Sequence, residues 1–184
     1  MELSGGKVVA IDGKTNRRTF GGLTKALHVV SAFATANGVS LGQVATDQKS
    51  NEITAIPELL KILDISGCLI TTDAMGCQSD IAADIVARGG DYLLAVKGNQ
   101  GLLYRDITAC FARLPDDPKL TEFHLSHTTE NSGHGRTEKR VCDLLTGLDV
   151  VDQLRHKNNW IELNTIVRVT ATRTSKKPGE VTEA

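Results

Sequence analysis

The order of strand-like and helix-like segments along the chain is the feature that most restricts its folds. Three short apolar segments come first and are typical of strands, and Asn37-Gly38 between the second and third predicts a hairpin turn. From residue 50 onward apolar residues recur at steps of three and four, as in helices, and these segments then alternate with strands. The predicted strands cover residues 7–11, 26–35, 39–45, 69–72 and 92–96, and the predicted helices begin near residue 50 and cover 79–87 and 103–114.

This β-β-β-α-β-α-β-α order predicts an α/β fold built on a mixed sheet of five core strands. The first three strands are expected to be antiparallel, and the last two to join in parallel through crossovers, with helices flanking the sheet. A doubly wound dinucleotide-binding fold would alternate strand and helix from its first element and carry GxGxxG after it. The sequence has neither feature, which argues against that fold.

The periodicity weakens after Pro115. Residues 141–151 and 160–169 are typical of two strands, or of one helix and one strand, and Pro178-Gly179 predicts a turn near the end. The sequence therefore predicts three portions. A core portion covers 1–114, an irregular β-rich insertion or extension of the same domain covers 115–173, and a polar tail covers 174–184.

Composition and charge place the chain among ordinary single-domain cytoplasmic proteins. Its 184 residues are 40% hydrophobic, no apolar run approaches the ~20 residues of a membrane span, and its first residues begin no signal peptide. Four cysteines without a CxxC pair predict reduced thiols. A net charge of −1 neither indicates nor excludes a nucleic-acid partner. Basic residues cluster near residues 14–18 and 168–177, for which a solvated surface is the simpler explanation.

Two aspartates stand directly after apolar strand segments. Asp12 follows residues 8–11, and Asp73 follows residues 68–72. A carboxylate in this position is expected at the rim of a sheet, because burying it without a partner is costly. If the two strands are neighbours, both side chains can ligate one hard cation such as Mg²⁺. The simpler alternatives are an Asp-Gly turn at Asp12 and a helix N-cap at Asp73.

Six segments of the sequence resemble those of a known family. They are IDGK at 11–14, LHVVSAF at 27–33, KSNEITAIP at 49–57, TDAMGCQ at 72–78, LAVKGNQ at 94–100 and GHGRTE at 133–138. Together they resemble DDE-class bacterial insertion-sequence transposases, and among these the H-repeat-associated group. The resemblance implies an RNase H-like core in which Asp12 and Asp73 are the first two catalytic acids and ligate Mg²⁺, with Mn²⁺ as a substitute. It also implies metal-dependent DNA cleavage and strand transfer at insertion-sequence ends, by a homodimer acting on paired ends.

The third acid departs from the family pattern. In the family it lies on a downstream helix, near a His-Trp and Glu-Asn stretch that this sequence lacks before Ala184. The one late acid inside a family-like segment is Glu138, whose basic neighbours Arg136, Lys139 and Arg140 favour an ion-paired strand or loop. We therefore expect a truncated catalytic core that is inactive by itself.

The candidate DNA-contacting residues follow predicted strand ends or lie in the last family-like segment, and they are Lys14, Lys97, Asn99, Gln100 and Arg136. Ordinary exposed polarity is the alternative for each. The late histidines and cysteine lack the spacing of a common closed zinc site, and they are His124, His127, His134 and Cys142. Two other functions fit the chain, a non-catalytic transposase remnant that binds DNA or a partner transposase, and a different RNase H-like metal nuclease.

Overall fold

Two sheets dominate the structure, one in each of two units. The computed structural model describes residues 7–16, 27–46, 52–133, 136–175 and 181–183. The first unit consists of Met1–Gly101 with Asn158–Glu162, and the second of Leu102–Lys157 with Leu163–Ala184. The domain limits that the sequence suggested at residues 114 and 173 stay a prediction. No helix among the described residues has the length and apolar character needed to cross a membrane.

A five-stranded mixed sheet forms the centre of the first unit. Its strands are β1 (Val8–Asn16), β2 (Leu27–Ala34), β3 (Val39–Thr46), β4 (Leu69–Thr72) and β5 (Asp91–Leu94). The order across the sheet is β3-β2-β1-β4-β5, with β1, β2 and β3 antiparallel and with β4 and β5 parallel to β1. The predicted α/β fold with three antiparallel and then two parallel strands is confirmed.

Helices α1 (Glu52–Lys61) and α2 (Ser79–Ala87) pack on this sheet. The apolar spacing predicted for α1 becomes a buried stripe that includes Ile56, Leu59 and Leu60. This stripe packs in one core with the alternate residues Val9 and Ile11 of β1. One face of β1 is therefore fixed against a helix, and the intervening residues of β1 lie on the other face.

The hairpin between β2 and β3 forms where Asn37-Gly38 predicted it. Residues 35–38 make the turn, and the amides of Asn37 and Gly38 both donate to the carbonyl oxygen of Ala34. Gly38 has a φ of 66°, a left-handed conformation that glycine adopts without steric cost. The prediction of a turn at this position is confirmed.

Strand β1 is longer than its apolar run. The predicted end of the first strand at residue 11 is wrong, because β1 continues through Asp12-Gly13-Lys14 to Asn16 in antiparallel pairing with β2. Asp12 pairs with Ser31 on that side, whereas the parallel pairing with β4 stops one residue earlier, at Ile11 and Thr72. The apolar run thus ends where the parallel neighbour ends, and β2 alone carries the strand further.

The second unit contains an antiparallel sheet and short helices. Helix α3 (Gly101–Arg113) begins at the last residue of the first unit's main segment and continues into the second unit. The further elements in chain order are α4 (Pro118–Glu122), β6 (His124–Gly133), β7 (Arg136–Thr146), α5 (Leu148–Val151), β8 (Thr165–Ser175) and β9 (Val181–Glu183). The four strands pair in the order β6-β7-β8-β9. The β-rich portion predicted after residue 115 is confirmed, and residues 176–180, with the predicted Pro178-Gly179 turn, lie outside the described residues.

A buried carboxylate links the three long strands of this sheet. Asp143 on β7 is 6% exposed, and its Oδ1 accepts hydrogen bonds from Ser126 Oγ at 2.8 Å and from His124 Nε2 at 3.0 Å. Its Oδ2 accepts from the Arg168 guanidinium of β8 at 2.8 Å. Burial by itself would raise the pKa of Asp143, but the bonds from Arg168, Ser126 and His124 outweigh it and hold the pKa below its ordinary value.

We expect Asp143→Asn to lower the free energy of unfolding at neutral pH by about 2 kcal/mol, because Arg168 loses a charge-assisted bond to a carboxylate. Since the pKa of Asp143 in the folded state lies below the ordinary aspartate value of 3.8, this stabilisation is present above 3.8 and is lost as the pH falls through the folded-state pKa. Urea unfolding across that pH range measures the effect, with exposed Asp149→Asn as control. A difference in the free energy of unfolding between wild type and Asp143→Asn that does not change with pH would contradict this prediction.

Candidate metal and nucleic-acid site

The two predicted acids occupy matching positions on neighbouring parallel strands. The last parallel pair between β1 and β4 joins Ile11 to Thr72, and the next residues are Asp12 and Asp73. Adjacent strands in a sheet lie about 4.8 Å apart, and both aspartates directly follow the last residues that this register pairs, at the carboxyl end of β4. Both residues are exposed.

Asp12 is positioned by strand pairing. It lies within β1 opposite Ser31, on the other face of the sheet from buried Ile11. An Asp-Gly turn therefore does not account for this residue. Lys14, two positions further along the strand, is exposed and shares the face of Asp12. The face of β1 that carries the carboxylate thus also carries a cation suited to a phosphate.

Asp73 is positioned by a turn of its own. Its Oδ1 accepts hydrogen bonds from the backbone amides of Met75 at 2.8 Å and Gly76 at 3.4 Å. The N-cap alternative is wrong, because Gln78 occupies the N-cap of α2. Cys77 in the same loop is fully buried, and burial raises the pKa of its thiol to about 11, so it stays protonated. Asp73 Oδ1 thus orders the loop that follows β4.

Gly76 lets this turn pack closely against the core. A Cβ at Gly76 would lie 2.6 Å from Thr72 Oγ1 and 2.9 Å from Ile56 Cδ1 of α1. Cβ atoms essentially never approach other heavy atoms this closely, so a larger residue would force the turn, Thr72 or Ile56 to shift. The glycine in the TDAMGCQ segment therefore has a packing reason that the sequence did not reveal.

Asn99 and Gln100 contact the Asp73 loop. They belong to a 3₁₀ turn, Gly98–Gln100, that follows β5. Asn99 Nδ2 donates to the carbonyl oxygen of Ala74 at 2.6 Å, and Gln100 Nε2 donates to that of Cys77 at 2.9 Å. Both amides predicted to contact DNA are thus engaged with the loop that carries a candidate acid.

The other predicted residues lie in different surroundings. Lys97 is exposed directly before the 3₁₀ turn, whereas exposed Arg136 lies on β7 in the second unit. Glu138, also on β7, pairs with Arg140 at 2.9 Å and with Arg173 at 3.3 Å. Partial burial opposes its charge, but the two guanidinium groups hold the pKa of Glu138 below its ordinary value. The ion pairing that its sequence neighbours predicted is present.

No third ligand accompanies the two aspartates in the described part of the chain. Among those residues no three His, Cys, Asp or Glu side chains form a group that could hold a metal ion. His124 is bonded to Asp143, His127 lies opposite Cys142 in the β6–β7 ladder, and His134 lies outside the described residues. A three-acid site is therefore not assembled from the described residues.

A buried contact between a histidine and a glutamate beside β1 was missed from the sequence. His28 Nε2 of β2 lies 2.7 Å from Glu52 Oε1 at the start of α1, and their side chains are 2% and 6% exposed. A Cβ at Gly13 would lie 2.4 Å from Glu52 Oε1 and 2.8 Å from His28 Nε2. The available signals were a lone histidine in an apolar strand and an acid in the first turn of a helix. This pair lies directly under the residue that follows Asp12.

We expect Gly13→Ala to lower the free energy of unfolding by about 2 kcal/mol, because the added methyl overlaps the buried side chains of Glu52 and His28. Gly101→Ala is the matched control, since a Cβ there meets no atom of the described residues within 4 Å. Thermal unfolding of both variants measures the difference. Equal stability of the two variants would show that the His28 and Glu52 side chains rearrange without cost.

We expect Asp73→Ala to destabilise the protein by about 1 kcal/mol relative to Asp73→Asn, because asparagine keeps the side-chain oxygen that accepts from Met75 and Gly76. Urea unfolding at neutral pH compares the two variants directly. Identical midpoints would mean that the turn does not need this acceptor.

Comparisons with known proteins agree with the resemblance. A family model described as "Transposase DDE domain" matches residues 3–176. The chain is 50% identical over 143 residues to the "H repeat-associated putative transposase YbfD" of Escherichia coli strain K12, covering 74% of this chain and 55% of that protein. It is 38% identical over 166 residues to an "Uncharacterized protein in dhlA 3'region" of Xanthobacter autotrophicus, covering 90% and 54%.

The chain spans about half the length of these relatives. Among solved structures, the piggyBac transposase synaptic complex with hairpin DNA has a TM-score of 0.40 at 9% identity, covering 74% of this chain and 30% of that chain. A likeness of this degree adds nothing to the assignment of fold or function. The match to the family model extends over most of the sequence, and the chain therefore belongs to the transposase DDE domain family.

Proposed function

We propose that this chain supplies the catalytic-core portion of a DNA transposase, with an RNase H-like arrangement of its first sheet. In this proposal Asp12 and Asp73 are two of the acids that bind Mg²⁺, and the reaction is phosphodiester cleavage and strand transfer at insertion-sequence ends. The observation that carries the proposal is the register of β1 and β4, which continues from Ile11 and Thr72 directly into the two aspartates.

The donor chemistry fits a hard divalent cation. Both side chains are exposed carboxylates, and oxygen ligands of this kind are what Mg²⁺ and Mn²⁺ prefer. A bound cation of this class supplies Lewis-acid activation and charge neutralisation at a phosphodiester. The protein's own part is to hold two carboxylates at one sheet edge, Asp12 by strand pairing and Asp73 by its turn.

The basic residues around this edge support DNA as the partner. Lys14 shares the face of Asp12, and exposed Lys97 precedes the turn that contacts the Asp73 loop. Exposed Arg136 of the second unit is a further candidate for backbone contact. Because the net charge is −1, DNA binding would rest on these local cations and should weaken steeply with salt.

One observation keeps a second function open. The described residues offer no third acid beside Asp12 and Asp73, so a chain that binds DNA or a partner transposase without cleaving DNA fits the same geometry. Incubation of the protein with labelled insertion-sequence end DNA and Mn²⁺ separates the two. Strand nicking that disappears in Asp12→Asn supports the transposase core, and retained DNA binding without nicking supports the non-catalytic function.

We expect the protein to bind Mn²⁺ and expect Asp12→Asn and Asp73→Asn each to weaken that binding by at least about tenfold, because each removes a charged ligand. Asparagine is chosen so that the Asp73 turn keeps its acceptor. Asp91→Asn, an exposed acid at the opposite end of β5, is the control. Titration monitored by electron paramagnetic resonance of free Mn²⁺ gives the dissociation constants. Wild-type affinity in both variants would remove the metal role from these residues.

A further inference from the structure

We propose that Asn99 and Gln100 are positioning residues for Asp73, an inference that rests on the proposed metal role of that acid. Their side-chain amides donate to the carbonyl oxygens of Ala74 and Cys77, at 2.6 Å and 2.9 Å. The two acceptors lie on either side of Met75 and Gly76, whose backbone amides donate to Asp73 Oδ1. Two side chains of the segment after β5 are therefore hydrogen-bonded to the loop after β4, one before and one after these two residues.

These two hydrogen bonds lie beyond the end of the pairing between β4 and β5. The ladder between β4 and β5 closes at Thr72 and Leu94, with one further bond from Ala95 N to Thr72 O at 3.3 Å. Beyond it, backbone pairing between these strands no longer fixes Asp73. The two amides take over this task, since they tie the following residues to the turn after β5. A metal-binding carboxylate has to be held within about 0.5 Å of its working position, which a loop without such ties does not achieve.

A positioning role for Asn99 and Gln100 and a direct DNA contact predict changes in different affinities. A residue that only contacts phosphates affects DNA affinity and its salt dependence and leaves metal binding without DNA unaltered. A residue that holds Asp73 affects metal affinity when no DNA is present. The amide hydrogen bonds favour the second role, because in both side chains the nitrogen is directed at a loop carbonyl.

The test measures Mn²⁺ affinity of Asn99→Ala and Gln100→Ala without DNA, beside wild type, Asp73→Asn and Asn131→Ala. Asn131 is a matched exposed amide on β6 of the second unit. We expect about a tenfold loss in each of the first two variants, as for other residues that orient a ligand, and no change in Asn131→Ala. Because Asn99 is exposed, its variant is expected to fold even if Gln100→Ala does not.

Thermal unfolding of the same samples separates positioning from stability. A positioning role predicts weaker Mn²⁺ binding well below the unfolding temperature, with partial rescue by Asn99→Gln, which restores an amide donor. Wild-type Mn²⁺ affinity in both alanine variants would overturn the inference while leaving the proposed function intact, provided that Asp73→Asn still loses binding. Absence of Mn²⁺ binding by the wild-type protein would overturn both.

Discussion

The parallel pairing of β1 with β4 is the constraint on which the candidate site depends. Val9 and Ile11 are buried against α1, and Asp12 faces the other side. A shift of one residue in register would turn Asp12 into the core and Ile11 out of it, at the cost of burying a carboxylate. The apolar residues that precede Asp12 therefore fix its position, although none of them has a chemical role.

Asp12 and Asp73 are held in place by different kinds of interaction. Asp12 sits inside a strand that β2 supports through backbone bonds, so its main chain has little freedom. Asp73 sits just past the end of its strand, where its own turn, the close packing of Gly76 and two side-chain amides replace the ladder. Small changes in side chains are therefore expected to disturb the Asp73 half of the site more than the Asp12 half.

Local patterns were sufficient for most of the first sheet and for the positions of Asp12 and Asp73 directly after the last parallel pair of β1 and β4. Helical spacing identified α1, and Asn37-Gly38 identified the hairpin, because both signals lie within a few residues of sequence. The extension of β1 past Ile11 was not predictable in this way, since it depends on the length of β2. Bonds between distant residues were equally hidden, such as those from Arg155 to the buried Asp106, 49 positions away in the sequence.

The contact of Gly13 with the His28–Glu52 pair has a consequence for sequence variation. The three positions come from two strands and a helix, yet they share one small space. A Cβ at residue 13 needs room that the ends of the residue 28 and residue 52 side chains now occupy, so it fits only if these side chains shift or become shorter. Replacements at residue 13 are therefore expected to depend on which residues stand at positions 28 and 52.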